Sequence, residues 1–317
     1  MKCVVRRCLN LLVVLYTGLS GIAWGAPPQE ELFFHQRLLR FVFKPVTDRY
    51  PLEEHRQDLS LGNFFTAGWI DGWAEPDEGP DDAPRFRLLR MQRAFWEREV
   101  RLTYNHTFGA DDGEMEEQEG EVELELPISR RFLIEFEGGF VGLHPDGRSW
   151  KRRGGDLKII PEVMLVETHD LSFSSGLVIR TPTGSEAVGE ERTSLTPYLA
   201  LWRDLGHRIG LHTYLGAEFP IDGFGPGAPD AVVQYGIAPA ITVTPKATPY
   251  LGNLTFFAEI NGETDIGGRH DRTTVTLLPG TRWLVFKDVW IAAGYEFPVT
   301  NTEALDGRAW VSLYLDF

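Results

Sequence analysis

The chain has 317 residues, a formal net charge of −15 and 43% hydrophobic residues. An acidic surface of that size argues against nucleic acid or anionic headgroups as partners, which are bound through broad basic patches. The only cysteines are Cys3 and Cys8, so a disulfide framework or thiolate metal site is excluded for a chain that loses its first residues.

The N-terminus reads as an export signal over residues 1–25. Lys2, Arg6 and Arg7 precede the apolar run LNLLVVLYTGLSGIAW, and Ala23-Trp24-Gly25 supplies small residues where a signal peptidase cuts. A single membrane anchor fits less well, because the run is short and is broken by Gly18 and Gly21. Cys8 precedes the apolar run, so no lipid-modified N-terminus is expected. Beyond it no helix-length apolar stretch occurs. A membrane form of this chain therefore has to be a closed barrel, since open strand edges are not tolerated in lipid.

Residues 26–96 show no sustained period of 2 or 3.6, as in NFFTAGWIDGWAEPDEGPDDAP, and read as an irregular periplasmic or barrel-plugging segment. Within them RFRLLRMQRAFWERE (85–99) mixes basic and apolar residues. It is compatible with a short amphipathic helix or with an extended lead-in to the first strand.

From residue 97 to 317 the pattern has period two. In PYLGNLTFFAEINGE (249–263), Gly252, Leu254, Phe256, Ala258 and Ile260 fall on one face. Asn253, Thr255, Glu259, Asn261 and Glu263 fall on the other, with Phe257 the lone apolar member. Twelve such segments follow: 97–108, 119–128, 131–141, 155–168, 171–183, 193–203, 206–219, 230–244, 249–263, 271–286, 289–299 and 307–317. Each has ten or more residues, against about five or six in soluble strands, and about nine to eleven suffice to cross an outer membrane. The gaps alternate short and long, from 129–130 and 169–170 on one side to 109–118 and 142–154 on the other. This is the arrangement of an up-and-down barrel with tight turns on one rim and outer loops on the other. The expected fold is an all-β antiparallel transmembrane barrel of about 12 strands in the bacterial outer membrane.

The lipid-facing row is aliphatic and aromatic, interrupted by Pro161, Pro197, Pro239 and Pro279, whose missing N–H groups call for local bulges. Trp283, Tyr295, Phe297, Tyr235 and Phe108 stand near strand ends on the same face, as in interfacial girdles. The inward row carries the charges: Glu121, Glu123, Glu125, Glu135, Glu137, Glu218 and Glu259, with Arg101, Lys158, Arg180, Arg208, Arg282 and His212. These are the expected pore-lining residues. The carboxylates make either a cation-favouring constriction or a structural ladder paired with the lumen's own cations.

LLPGTRW (277–283), AAGYEFPVTN (292–301) and a terminal strand ending in Phe are similar to the tail of a family of outer-membrane transporters named for the meta-pathway of phenol degradation. GGDLKIIPEVML (154–165) and IRTPTGS (179–185) resemble its middle region. The resemblance covers roughly 120–317. It implies a barrel that moves a small solute, hydrophobic or aromatic in character, and supplies no ligand residues.

No catalytic, cofactor or metal set emerges. The eight histidines, His35, His55, His106, His144, His169, His207, His212 and His270, form no metal spacing. Ser172 and Ser174 lack a matching histidine and no G-x-S-x-G occurs, which leaves a barrel hydrolase the weakest reading. Asp111, Asp112 and Glu114 in an acidic loop lack the EF-hand order and read as solvated. The expected function is a channel or facilitated transporter, with a blocked structural barrel whose loops bind a partner as the alternative. Its expected associates are outer-membrane lipid, a small solute and the barrel-insertion machinery, which reads a last strand ending, like this one, on outward-facing Phe317.

Overall fold

The computed structural model describes residues 57–76, 78–110, 115–145, 150–184, 193–221, 229–267, 272–300 and 305–317. The expected signal peptide lies outside them, as do Asp111, Asp112, Glu114, His35, His55 and His270. Among the described residues thirteen strands are present: β1 Glu99–Ala110, β2 Met115–Pro127, β3 Phe132–Pro145, β4 Lys151–Gly154, β5 Leu157–Glu167, β6 Leu171–Thr181, β7 Ser194–Asp204, β8 Ile209–Pro220, β9 Ala231–Thr242, β10 Gly252–Ile266, β11 Thr273–Phe286, β12 Val289–Thr300 and β13 Gly307–Asp316.

Twelve of these form a closed antiparallel wall, each strand paired to the next. Closure comes from β1 and β13, in register from Glu99↔Asp316 to Phe108↔Gly307. The thirteenth, β4, lies where a loop over 142–154 is expected. It continues the edge of β3 above the point where β5 begins, from Phe140↔Gly154 to Leu143↔Lys151. The register slips by one residue across Gly155-Asp156, so β4 and β5 act as one strand interrupted by a bulge.

Alternation sorts the side chains as the sequence predicts. Val122, Phe136, Leu199, Leu215, Ile237, Ile241, Phe256, Ile260 and Val311 are all exposed on the outer surface. In water such a belt would be a large apolar patch, whereas lipid removes that cost. The four prolines stand in this belt without the expected bulges. Each keeps its place in one ladder, Pro161 opposite Ile134, Pro197 opposite Leu177, Pro239 opposite Leu211 and Pro279 opposite Ala258. On the other side pairing lapses and then resumes unshifted, as between Ile159↔Ile179 and Glu162↔Gly176. A missing N–H costs a local gap, while the neighbouring strands hold the register.

Several aromatic side chains lie flat over a glycine on the next strand. Gly176 faces Tyr198, and a methyl group built on Gly176 would come within 2.3 Å of the tyrosine ring. Gly176→Ala should therefore lower the unfolding free energy of the detergent-folded barrel in urea by about 1–3 kcal/mol through overpacking. Gly138→Ala, whose added methyl meets its nearest neighbour at 3.6 Å, should leave it unchanged.

Residues 57–98 use the space inside. Leu59 bridges to Glu167 beside the tight turns, a short 3-10 turn spans Leu61–Asn63, and Arg131 ties this stretch down through Ala67 O (2.9 Å) and Asn63 Oδ1 (2.8 Å). Residues 83–98 then enter the lumen as an extended strap. Of the two forms expected for 85–99, the helix does not occur. The N–H groups of Leu89, Arg90 and Met91 are given to the Glu259 carboxylate instead of to helix carbonyls. The apolar core is therefore intraluminal: Phe86, Leu88, Leu89 and Met91 pack on Ala238, Phe257, Leu278, Trp290 and Tyr314. A second cluster joins Phe95 to Ile160, Tyr198 and Trp202. Phe257, the apolar exception on the inward row of β10, meets Phe86 at 6.0 Å between ring centres.

Candidate functional site: the charged lumen

Pairing of β2 with β3 sets Glu123 opposite Glu137 and Glu125 opposite Glu135 on the inward face. Like charges directly across a ladder repel, so this wall needs cations to form. Two come from the barrel itself. Arg101 Nε bonds Glu123 at 2.7 Å, and Lys158 Nζ lies 2.8 Å from both Glu121 and Glu137.

The strap supplies the others. The Arg87 guanidinium is 2.7 Å from Glu123, 2.8 Å from Glu135 and 3.5 Å from Glu137, and also pairs with Glu125. Arg93 pairs with Glu125, with Glu135 at 3.1 Å and with Glu162 at 3.7 Å. Arg87 and Arg93 are separated by an even number of residues, so an extended chain aims both at one wall. Arg90, at an odd offset, is aimed at the opposite wall, where it pairs with Glu263 at 2.5 Å and with Glu296. Burial works against the Arg87 guanidinium, yet Glu123, Glu135 and Glu125 outweigh it and hold its pKa well above the usual value. With both partners desolvated, removing one leaves an uncompensated buried charge.

The remaining expected pore residues are dispersed. Glu259 caps the strap backbone as described, and Arg180 meets Glu218 at 3.5 Å. Arg282 is buried with its guanidinium 4.0 Å from the Trp290 ring centre and 5.1 Å from that of Tyr314. His212 is buried against Phe86 and Phe95. Arg208 stands in the tight turn after β7, bonded to Thr244 O and Asn253 Oδ1 at 2.8 Å each. Sequence reasoning missed Arg87, Arg90, Arg93, Glu162 and Glu296. The signal for the arginines was present in RFRLLRMQR, where basic residues recur without a helical face to share.

Two cavities flank the strap. On the loop side, about 190 Å³ is lined by Arg90, Lys158, Arg180, Tyr214, Glu218 and Glu263 among others. On the tight-turn side, about 290 Å³ is lined by Glu78, Asp82, Pro84, Arg208, Lys246 and Asn253 among others. They share no lining residue, and the strap runs from one, at Pro84, to the other, at Arg90.

A closed twelve-stranded wall with an apolar outer belt and a polar interior fits a bilayer and not water. A solved outer-membrane channel from Pseudomonas putida F1 has the same architecture, with a TM-score of 0.55 at 13% sequence identity over 77% of this chain and 100% of that one. The chain is an outer-membrane β-barrel. A NanC porin aligns with a TM-score of 0.48 at 10% identity, over 69% of this chain and 98% of that one. LpxR from Salmonella typhimurium aligns at 0.43 and 11%, over 68% of this chain and 100% of that one. No protein-family model matches the chain, and no curated protein sequence does.

Proposed function

We propose that this barrel is a channel or facilitated transporter for a small solute, without covalent chemistry, exported under residues 1–25 and narrowed from within by its own strap. The observation that carries this reading is the loop-side cavity. It is lined by Arg90, Lys158 and Arg180 together with Glu137, Glu218 and Glu263, Lys158 lying 2.8 Å from Glu137 and Arg180 3.5 Å from Glu218. Opposed charges in a confined polar space orient a solute and set selectivity. The family resemblance of 120–317 favours a solute of hydrophobic or aromatic character, and Tyr214 offers it a ring in the same cavity.

Refolded mature protein in a planar bilayer should give small unitary steps, and liposomes containing it should swell in permeant solutes. Absence of both would overturn the reading. Glu218→Gln removes a carboxylate from the cavity and leaves Arg180 less compensated, so the reversal potential in a salt gradient should shift toward anions. A second reading, a blocked barrel with a structural or surface-binding role, draws on the full burial of the Arg87 and Arg93 ion pairs. It is the outcome if the protein inserts and never conducts.

A further inference from the structure

The base of the lumen holds an acidic group that the strap arginines reach at one oxygen, Glu125 Oε1, which pairs with Arg87 and Arg93. Glu97 and Glu99 are two residues apart in WEREV, so an extended chain aims both the same way. Pairing of β1 with β13 sets Glu99 opposite Asp316, and pairing with β2 brings Glu125 alongside, one step beyond Val100↔Leu124. The result is a row of carboxylates across three strands. One oxygen from each of Glu97, Glu99 and Glu125 lies within 4.8 Å of the others.

Glu99 is what distinguishes this group. It is 0% exposed, and neither carboxylate oxygen has a hydrogen-bond partner among the described residues. Glu97 Oε2, Glu125 Oε2 and Asp316 Oδ1 are likewise buried and unpartnered. The neighbouring group of Glu123, Glu135 and Glu137 has the same spacing, but Arg87, Arg101 and Lys158 answer it. A buried carboxylate without a partner is costly enough that it demands a counter-charge or a proton.

We propose that Glu97, Glu99 and Glu125 form a binding site for a hard divalent cation of the Ca²⁺ type, which clamps the start of β1 to β2 and to the end of the strap. With Glu125 Oε1 held by Arg87 and Arg93, its Oε2 and the carboxylates of Glu97 and Glu99 offer five oxygens, the donor type that Ca²⁺ takes, and water can complete the shell. The site lies at the point where strap becomes wall, so an ion there adds a tie between strap and barrel beside those of Arg87 and Arg93, with which it shares Glu125.

The test uses the detergent-refolded mature chain. Tb³⁺ is the first probe, because Trp96 precedes Glu97 and is placed to sensitise its emission. We expect saturable emission displaced by Ca²⁺, and affinity weakened about tenfold or more in Glu99→Gln. The thermal midpoint, followed by heat-dependent gel mobility, is the second readout. Wild type should melt higher in Ca²⁺ than in EDTA, as ligand binding to the folded state requires. Glu99→Gln should melt at one temperature in both, and above wild type in EDTA because the unpartnered charge is gone. A wild-type protein whose midpoint ignores Ca²⁺ and EDTA overturns the proposal. So does Tb³⁺ emission that survives in folded Glu99→Gln and in Glu125→Gln alike.

Discussion

Replacing residues 84–96 by a short Gly/Ser linker will raise the unitary conductance by about tenfold and make the channel strongly cation-selective. The excised stretch, PRFRLLRMQRAFW, carries Arg85, Arg87, Arg90 and Arg93 and no acidic residue. Its side chains fill the section between the two cavities, where Phe86, Leu88 and Leu89 are at most 2% exposed. Once it is gone, Glu123, Glu125, Glu135 and Glu162 face water with Arg101, on Glu123, as the near cation, while Lys158 stays with Glu121 and Glu137. A wide acidic lumen passes cations in preference to anions. The wall keeps its ladder hydrogen bonds, because all of them run between strands and lipid offers them no competitor. Retained heat-dependent gel mobility will show that the excised protein still closes. A complementary variant places cysteines at Leu89 and Leu278, whose side chains both abut Gly294. Oxidised, it should hold wild-type conductance or less, and reduction should restore wild-type steps. An excised barrel that folds and conducts no better than wild type would falsify a path through the strap.

The wall was legible because its physics is local. A strand with lipid on one face and a polar lumen on the other has to alternate, and β10 does so from Asn253 to Glu263 with Phe257 as its one exception. That exception was informative: an apolar side chain aimed into a polar lumen implies something apolar inside, and Phe86 is there. The strap was legible only as one of several alternatives, a plugging segment with an extended lead-in, for the opposite reason. An extended segment satisfied by a distant carboxylate, as Leu89 to Met91 are by Glu259, has no period of its own, and its conformation is set by residues about 170 positions away. The acidic wall shows the same limit. Alternation placed Glu121 to Glu137 on one inward face, and the pairing of Arg101 and Lys158 with them followed from the barrel. Arg180, Arg208 and Arg282, read as further partners of that wall, go instead to Glu218, to a tight turn and to a Trp–Tyr cage. Their neighbours are fixed by register around the barrel, which the sequence does not state. The proline bulges failed on a cooperative effect, since two neighbouring strands in register leave a single missing N–H nowhere to shift the chain.

The second large effect concerns stability. Arg87→Met should cost about 3–5 kcal/mol in urea unfolding of the detergent-folded barrel, the range for breaking a buried ion pair on one side. Arg87 is 2% exposed and Glu123, Glu125 and Glu135 are fully buried, so water cannot stand in for the lost guanidinium. Methionine keeps much of the side-chain volume, which confines the change to charge and hydrogen bonding. Adding Glu123→Gln and Glu135→Gln to Arg87→Met should recover most of the loss, because neutral amides no longer need the cation. Arg203→Met is the control. Its pair with Asp170 lies at the rim with both side chains nearly half exposed, and the unfolding midpoint should stay where it was. If Arg87→Met unfolds like wild type, the strap does not hold the acidic wall together. If the triple variant recovers stability and also conducts more than wild type, the same ion pairs hold the barrel and close it. The lumen would then keep these charges for two reasons at once: they hold the strap in place, and through it they set the width of the path.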